Sequence, residues 1–172
     1  AFTQGRPLGE SAAPKQGLAT ADNARFLRQW FEVSQSRTCF DANSREAAVT
    51  SGAKWFPHLK GGAFRKWWGN QGYVINWEND GAELWNFRPR SVIRNPDYYF
   101  KPAISWSNVS SGEPSFRFYE QGSIFGHVGQ AFFPHSDIEL LTGFSNSTTC
   151  RSLLAVLSPT LHFEAGQLAG LP

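Results

Sequence analysis

The chain has 172 residues, of which 41% are hydrophobic and 17% are charged, and its formal net charge is +2. This length fits a single domain over residues 1–172, and the apolar content excludes a disordered tail. No apolar run approaches the ~20 residues that a membrane-spanning helix needs. Two cysteines are too few for a disulfide-rich secreted scaffold or for a Cys-rich zinc site. Because the chain contains no methionine, we expect it to be a piece of a longer protein.

The first third of the chain predicts few regular elements. Residues 1–20 contain three glycines and two prolines, which is typical of an extended segment with turns. Phe, Trp and Val in residues 25–33 favour a strand there. Residues 44–51 predict a short helix, with Ser44 as its N-cap and Gly52 after its end.

The middle of the chain predicts a series of short strands. Residues 64–68 and 73–77 suit two strands joined by a Gly-Asn-Gln-Gly turn, and Asn79-Asp80-Gly81 is a further turn signal. Four more predicted strands follow, at residues 98–100, 103–107, 115–119 and 129–133. Turn residues separate most of these runs, and such spacing is expected of a curled antiparallel sheet.

The C-terminal part changes to a helical pattern. We predict a helix with Ser136 as its cap and Ile138, Leu140, Leu141 and Phe144 on it. A second helix is predicted from about Ser147 to Leu157 and ends at Ser158-Pro159. The fold class is therefore α+β, mostly a curled antiparallel β-sheet with a helical pair near the C-terminus.

Positive charge is unevenly distributed along the chain. Residues 47–77 contain no carboxylate and four cations, which are Lys54, Lys60, Arg65 and Lys66. A second group of cations is opposed only by Asp97 and consists of Arg88, Arg90, Arg94 and Lys101. Cations next to glycines can bind phosphates, because glycine lets backbone N–H groups approach the ligand. The two consecutive glycines of Lys60-Gly61-Gly62 fit this interpretation, and a hairpin turn would also explain them.

Other candidate residues have open alternatives. Thr20, Asp22 and Asn23 can bind a base edge, or they can form an Asx-type turn that leads into a strand. The aromatic residues near the cations can stack on bases or form the core. None of the four histidines is at metal-ligand spacing, so we do not expect zinc, and Cys39 and Cys150 are expected to be reduced thiols.

Several long stretches resemble a known family. They are Pro7-Leu8-Gly9-Glu10, residues 17–33, residues 54–80 and the ending 157–172. These stretches resemble the C-terminal region of large bacterial adenine-specific DNA methyltransferases, in particular the PglX-like methyltransferases of BREX phage-defence systems. The chain departs from the family at Ala21, where Gly is more common, and at His58 and Trp68, where Tyr is more common.

The resemblance implies a target-recognition domain of the TaqI-like type, which clamps duplex DNA against a separate catalytic domain. In such an enzyme, S-adenosylmethionine supplies the methyl group that is transferred to N6 of a flipped adenine. The cofactor loop and the Asn-Pro-Pro-Tyr tetrad belong to that other domain, so this chain alone is expected to hold no cofactor and to be non-catalytic. The implied location is the bacterial cytoplasm. The implied partners are double-stranded DNA, other phage-defence proteins or a DNA-mimic inhibitor.

We expect phosphate contacts from the cations of residues 54–66 and base contacts from Thr20 and Asn23. The full set of predicted DNA-binding residues is Thr20, Asn23, Arg25, Lys54, Lys60, Gly61, Gly62, Arg65, Lys66 and Asn70. Two alternatives remain open. A Trp-rich carbohydrate-binding β-domain would need acidic and amide residues beside its rings, whereas residues 54–77 are cationic and lack carboxylates. A protein-binding domain would use the same cationic surface.

Overall fold

The computed structural model describes residues 5–109, 112–158 and 162–172. Residues 1–4 of the predicted extended segment and Pro159 of the predicted helix stop lie outside the described residues. The strands are β1 (Ala12–Lys15), β2 (Leu27–Gln29), β3 (Trp55–Leu59), β4 (Tyr73–Asn76), β5 (Ala103–Ser107), β6 (Phe116–Tyr119), β7 (Ile124–Phe125) and β8 (Gly129–Pro134). The helices are α1 (Leu8–Ser11), α2 (Asn23–Phe26), α3 (Arg45–Thr50), α4 (Glu78–Asn86), α5 (Ile138–Ser145), α6 (Thr148–Leu157) and α7 (Ala165–Ala169).

A central antiparallel sheet has the strand order β1-β8-β5-β6. Side chains alternate between its faces, as the two-residue period of a strand requires. In β5, Ile104 and Trp106 lie in the core beside the C-terminal helices, whereas Ala103 lies in the core on the opposite side. This sheet confirms the predicted strands at residues 103–107, 115–119 and 129–133, with boundaries that differ by at most one residue.

A second sheet has the order β2-β4-β3-β7 and packs over the other face of the central sheet. Its β3–β4 and β2–β4 pairs are antiparallel, but β7 runs parallel to β3. One apolar core lies between the two sheets, and a second lies between the central sheet and α1, α6 and α7. These layers confirm the α+β class with mostly antiparallel sheets and a helical C-terminal part.

Local polar signals position several elements as expected. The Ser44 hydroxyl accepts a hydrogen bond from the Ala47 N–H at the start of α3, and Ser147 does the same for Cys150 in α6. Asn79, Asp80 and Gly81 all have positive φ, which makes them the predicted turn at the beginning of α4. No helix within the described ranges is both long and apolar enough to cross a bilayer.

Two predicted strands near the cations are wrong in whole or in part. Residues 25–33 form the end of α2, the three-residue β2 and a 3₁₀ turn at Trp30–Glu32. Residues 64–68 form a loop, because Trp67 within this range has a positive φ value that a strand does not allow. The flanking residues Gly61, Gly62 and Gly69 also have positive φ values. The strand that pairs with β4 is instead β3, although it contains Pro57.

Three further predictions need correction. Residues 98–100 are not a strand, because the chain turns through a 3₁₀ helix at Pro96–Tyr98. Ser136 does not cap α5, which instead follows Asp137 in a left-handed conformation. The segment 1–20 is not wholly extended with turns, since α1 and β1 lie within it.

Candidate nucleic-acid interface

Three parallel chain segments end at one edge of the second sheet. Gly126 N–H donates to Leu59 O over 2.9 Å, and His127 N–H donates to Leu18 O over 2.8 Å. The residues that follow these segments therefore meet at what we call the carboxyl edge. Thr20 comes from the first segment, Lys60 follows β3, and His127 follows β7. Ligand sites commonly form beyond the carboxyl ends of parallel strands.

A pocket of about 210 Å³ opens at the carboxyl edge and is lined by Thr20, Asn23, Lys60 and His127. We call it the edge pocket. The Thr20 hydroxyl donates to Asn23 Oδ1 over 2.6 Å and fixes the Asn23 side chain. Asn23 Nδ2 donates no hydrogen bond within the described residues. The predicted Asx-type turn is also present, because Asp22 accepts from the Arg25 N–H over 3.0 Å.

Lys60 and His127 present unpaired polar atoms at the edge pocket. Lys60 Nζ lies 4.2 Å from the centre of the Tyr73 ring, and no carboxylate among residues 5–109, 112–158 and 162–172 pairs with it. His127 Nδ1 is buried and lacks a hydrogen-bond partner. Both residues line the edge pocket, where the Lys60 charge is available to an anion.

A second imidazole, His58, lies behind the edge pocket and is uncharged. Complete burial is the main cause that lowers the pKa of His58 from 6.5 to about 4, and the charge of Lys60 adds to it. His58 Nδ1 donates to Ile124 O over 2.9 Å, which assigns the proton to that nitrogen in the neutral ring. The charge at this edge therefore comes from Lys60.

The two glycines after Lys60 adopt conformations that other residues avoid. Gly61 and Gly62 have φ values of 81° and 137°. Gly62 N–H donates to Ser107 Oγ over 3.0 Å, and the same hydroxyl donates back to Gly62 O over 3.0 Å. The backbone donor of Gly62 is thus used within the protein, and these glycines turn the chain.

The remaining cations of the 61–70 loop lie on the central sheet. Arg65 is exposed, and its backbone N–H donates to Ser115 Oγ over 3.3 Å. Lys66 Nζ donates to Asn146 O over 3.2 Å, and Asn70 Nδ2 donates to Ala63 O over 2.9 Å. Among the cations of this loop, only Arg65 has a side-chain charge that forms no hydrogen bond or ion pair with the described residues.

Arg25 and Lys54 lie away from the edge pocket, in a cluster of ion pairs with α4. Arg25 Nε is 2.7 Å from Glu83 Oε1, and Lys54 Nζ is 3.6 Å from Glu78 Oε2. Lys54 and Lys60 flank β3 at opposite ends, which separates their Cα atoms by roughly 20 Å at the usual strand rise. We call the end that carries Lys54 the amino edge.

An aromatic groove of about 350 Å³ crosses the second sheet. Its rings are those of Trp30, Phe40, Trp68 and Tyr73. Gln71, Glu120 and Gln121 also line it, so amide and acidic groups do lie beside the rings. No lysine or arginine lines the groove within the described part of the chain.

Sequence reasoning missed His127 and the aromatic groove. His127 stands alone in the sequence, and it reaches Lys60 only because β7 pairs in parallel with β3. Glu120 and Gln121 lie far along the chain from the rings that they join. No group of three or more His, Cys, Asp or Glu side chains among the described residues could hold a metal ion.

Comparison with known proteins places the chain in a family. It is 39% identical over 166 residues to the adenine-specific methyltransferase PglX of Lacticaseibacillus casei, a match that covers 92% of this chain and 14% of that protein. It is 37% identical over 151 residues to the adenine-specific methyltransferase BrxX of Escherichia coli, which covers 86% of this chain and 12% of that protein. No family model matches the chain. With this identity over most of its length, the chain belongs to the PglX-like family of adenine-specific methyltransferases, of which it represents a partial region.

Proposed function

We propose that this chain recognises double-stranded DNA as the target-recognition region of an N6-adenine-specific methyltransferase in a BREX phage-defence system. The edge pocket contacts the duplex, and Arg65 adds an exposed guanidinium from the 61–70 loop on the central sheet. Lys60 and Arg65 bind backbone phosphates, and Asn23 donates through Nδ2 to a base edge. The chain itself holds no cofactor and carries out no chemistry.

The observation that carries this proposal is the convergence of polar groups without protein partners at the carboxyl edge. Lys60 Nζ has no carboxylate partner within the described residues, and His127 Nδ1 is buried without a hydrogen bond. A lysine charge without a counter-ion at a pocket favours a bound anion, and DNA phosphates supply one.

The parent protein would join this region to a catalytic region that binds S-adenosylmethionine. That region would take the adenine out of the helix and transfer the methyl group to its amino nitrogen. The recognition region would fix the register of the duplex, so that one adenine reaches the catalytic site. Other phage-defence proteins or a DNA-mimic inhibitor would occupy the same cationic edge.

The test is duplex-DNA binding by this chain as a function of salt concentration. Lys60→Ala is expected to weaken binding to every sequence and to reduce the slope of log K against log salt by about one. Lys54→Ala is the matched control, because Lys54 borders the same strand at the amino edge and already pairs with Glu78. It should leave both quantities unchanged.

Equal losses in the two variants, or no loss in either folded variant, would contradict the assignment of the carboxyl edge. Titration with a soluble polysaccharide tests the carbohydrate alternative in the same assay. The DNA proposal expects no binding of the polysaccharide at any salt concentration, and it expects DNA binding that weakens steeply as salt rises.

A further inference from the structure

We propose that the aromatic groove binds one unpaired nucleobase that carries an exocyclic amino group: adenine, cytosine or guanine. This inference rests on the proposed function, because the base would come from the DNA held by this chain. It assigns a ligand to a site separate from the edge pocket. The argument uses the rings, the polar rim and the charges of the groove.

The rings of the groove are exposed to an extent that is unusual for such large apolar groups. Trp30 is 54%, Phe40 48% and Trp68 59% exposed. They come from three separate segments of the chain, and together they form one apolar surface. Contiguous exposed apolar surfaces of this kind mark binding sites. Flat aromatic surfaces that face a cavity suit a flat ligand that stacks on them.

The backbone holds these rings in place without a ligand. Trp30 N–H donates to Gly72 O over 3.0 Å, and the Tyr119 hydroxyl donates to Gly69 O over 2.6 Å, next to Trp68. Trp67, the residue before Trp68, has a φ of 74°, which is rare for a bulky side chain. Strained conformations of this type concentrate at binding sites. These contacts position the backbone that carries Trp30 and Trp68.

The polar rim of the groove matches the edge of a base that has an amino group. Glu120 is exposed and forms no ion pair with the described residues, so its carboxylate is free to accept a hydrogen bond. Gln121 donates through Nε2 to Asp41 O over 3.4 Å, which leaves its carbonyl oxygen as a second acceptor. Two acceptors favour adenine, cytosine and guanine, whose exocyclic amino groups donate, over thymine, which has no amino group.

Cations lie near the groove, on the segments that carry two of its rings. Lys60 Nζ lies over the Tyr73 ring. Lys66 Nζ lies 5.9 Å from the centre of the Phe64 ring, and these two residues precede Trp68 in the chain by two and four positions. No cation lines the groove itself in the described residues. Sites for single-stranded nucleic acid combine apolar stacking surfaces with cations that follow the backbone.

The experiment compares a perfect duplex with duplexes of the same sequence that contain one extra unpaired A, C or T. The extra A or C is expected to raise affinity about tenfold, and the extra T should raise it less. Trp68→Ala should return binding of the A and C duplexes to the level of the perfect duplex. Glu120→Ala, which removes the acceptor, should abolish the preference for A and C over T. Phe64→Ala is the matched control, since Phe64 is exposed in the same loop but does not line the groove.

A second measurement separates failure of this inference from failure of the proposed function. Deoxyadenosine and deoxycytidine should quench tryptophan fluorescence, and Trp68→Ala should remove the effect. Loss of all duplex binding with retained nucleoside quenching would reject the proposed function and leave the groove assignment intact. Equal binding of bulged and perfect duplexes without quenching would overturn the inference. Quenching by a methyl hexoside alone would overturn it in favour of a carbohydrate.

Discussion

The two ends of β3 differ in how their cations are neutralised. At the amino edge, the carboxylates of α4 pair with four cations. Glu78 binds Arg37 and Lys54, Asp80 binds Arg45, and Glu83 binds Arg25. At the carboxyl edge, Lys60 pairs with no carboxylate among the described residues, and its Nζ lies over the Tyr73 ring. The same residue types therefore form a structural network at one edge and a candidate interface at the other.

This difference teaches that a run of cations in the sequence is not a cationic surface. Residues 47–77 contain no carboxylate, yet Glu78 follows at once and reaches back to Lys54. Strand β3 then separates Lys54 from Lys60. The following predictions test the contrast between the two edges.

The largest effect is expected from Gly17→Ala, which would break the carboxyl edge. A Cβ atom at residue 17 would lie 1.9 Å from Phe125 O, so the segment that leads to Thr20 could no longer lie along β7. We expect a loss of more than ~3 kcal/mol in the free energy of unfolding, measured by urea denaturation.

Gly143→Ala in α5 is the control for that substitution. No atom lies within 4 Å of the added Cβ, and an alanine in a helix should raise the free energy of unfolding by about 0.5–1 kcal/mol. Similar effects of the two substitutions would mean that the close approach of residue 17 to β7 is not required.

The pH dependence of stability tests whether His58 is neutral. Its folded-state pKa of about 4 lies below the usual 6.5, so the unfolded chain binds the proton first as the pH falls. The His58 contribution is complete above pH 6.5 and is lost between pH 6.5 and 4, by about 3 kcal/mol in total. Urea denaturation at several pH values should give a shallower loss for His58→Gln. Identical pH profiles would mean that folding does not shift the pKa of His58 and would contradict its burial as a neutral ring.

The smallest effect is expected from Asp80→Asn at the amino edge. Asparagine tolerates the left-handed conformation of residue 80 and can still accept from Trp77 Nε1, so the charge and one of the two hydrogen bonds from Arg45 are lost. Because the ion pair with Arg45 is partly exposed, the cost in unfolding free energy should be about 1 kcal/mol. DNA affinity and its salt dependence should not change. A change in either would assign Arg45 and its neighbours to the interface.

Sequence patterns predicted the elements whose signals are local. Ser44 and Ser147 each accept a hydrogen bond from the N–H group three residues further along the chain. Residues 103–107 are all buried, because both faces of strand β5 pack against a core. The resemblance to the methyltransferase family is confirmed by the two relatives. Of the predicted contacts, the edge pocket brings together Thr20, Asn23 and Lys60.

The remaining features depend on pairing between distant segments. The sequence pattern predicts no strand at residues 55–59, which contain Pro57, yet β7 pairs only with His58 and Leu59, so Pro57 lies where β3 has a single neighbour. The aromatic run 64–68 has strand-like composition, but the glycines around it turn the chain. His127 could be found only from the parallel pairing of β3 with β7, which no local pattern predicts.

The hydrogen bonds of Trp67 have a consequence for self-association. Trp67 N–H donates to Phe116 O over 2.9 Å and its carbonyl accepts from the Phe118 N–H over 3.0 Å, along the outer side of β6. Outer strands with free backbone groups are templates on which a second molecule can add a strand and begin aggregation. The 61–70 loop caps this strand, so it protects the monomer from aggregation while it presents Trp68 to the solvent.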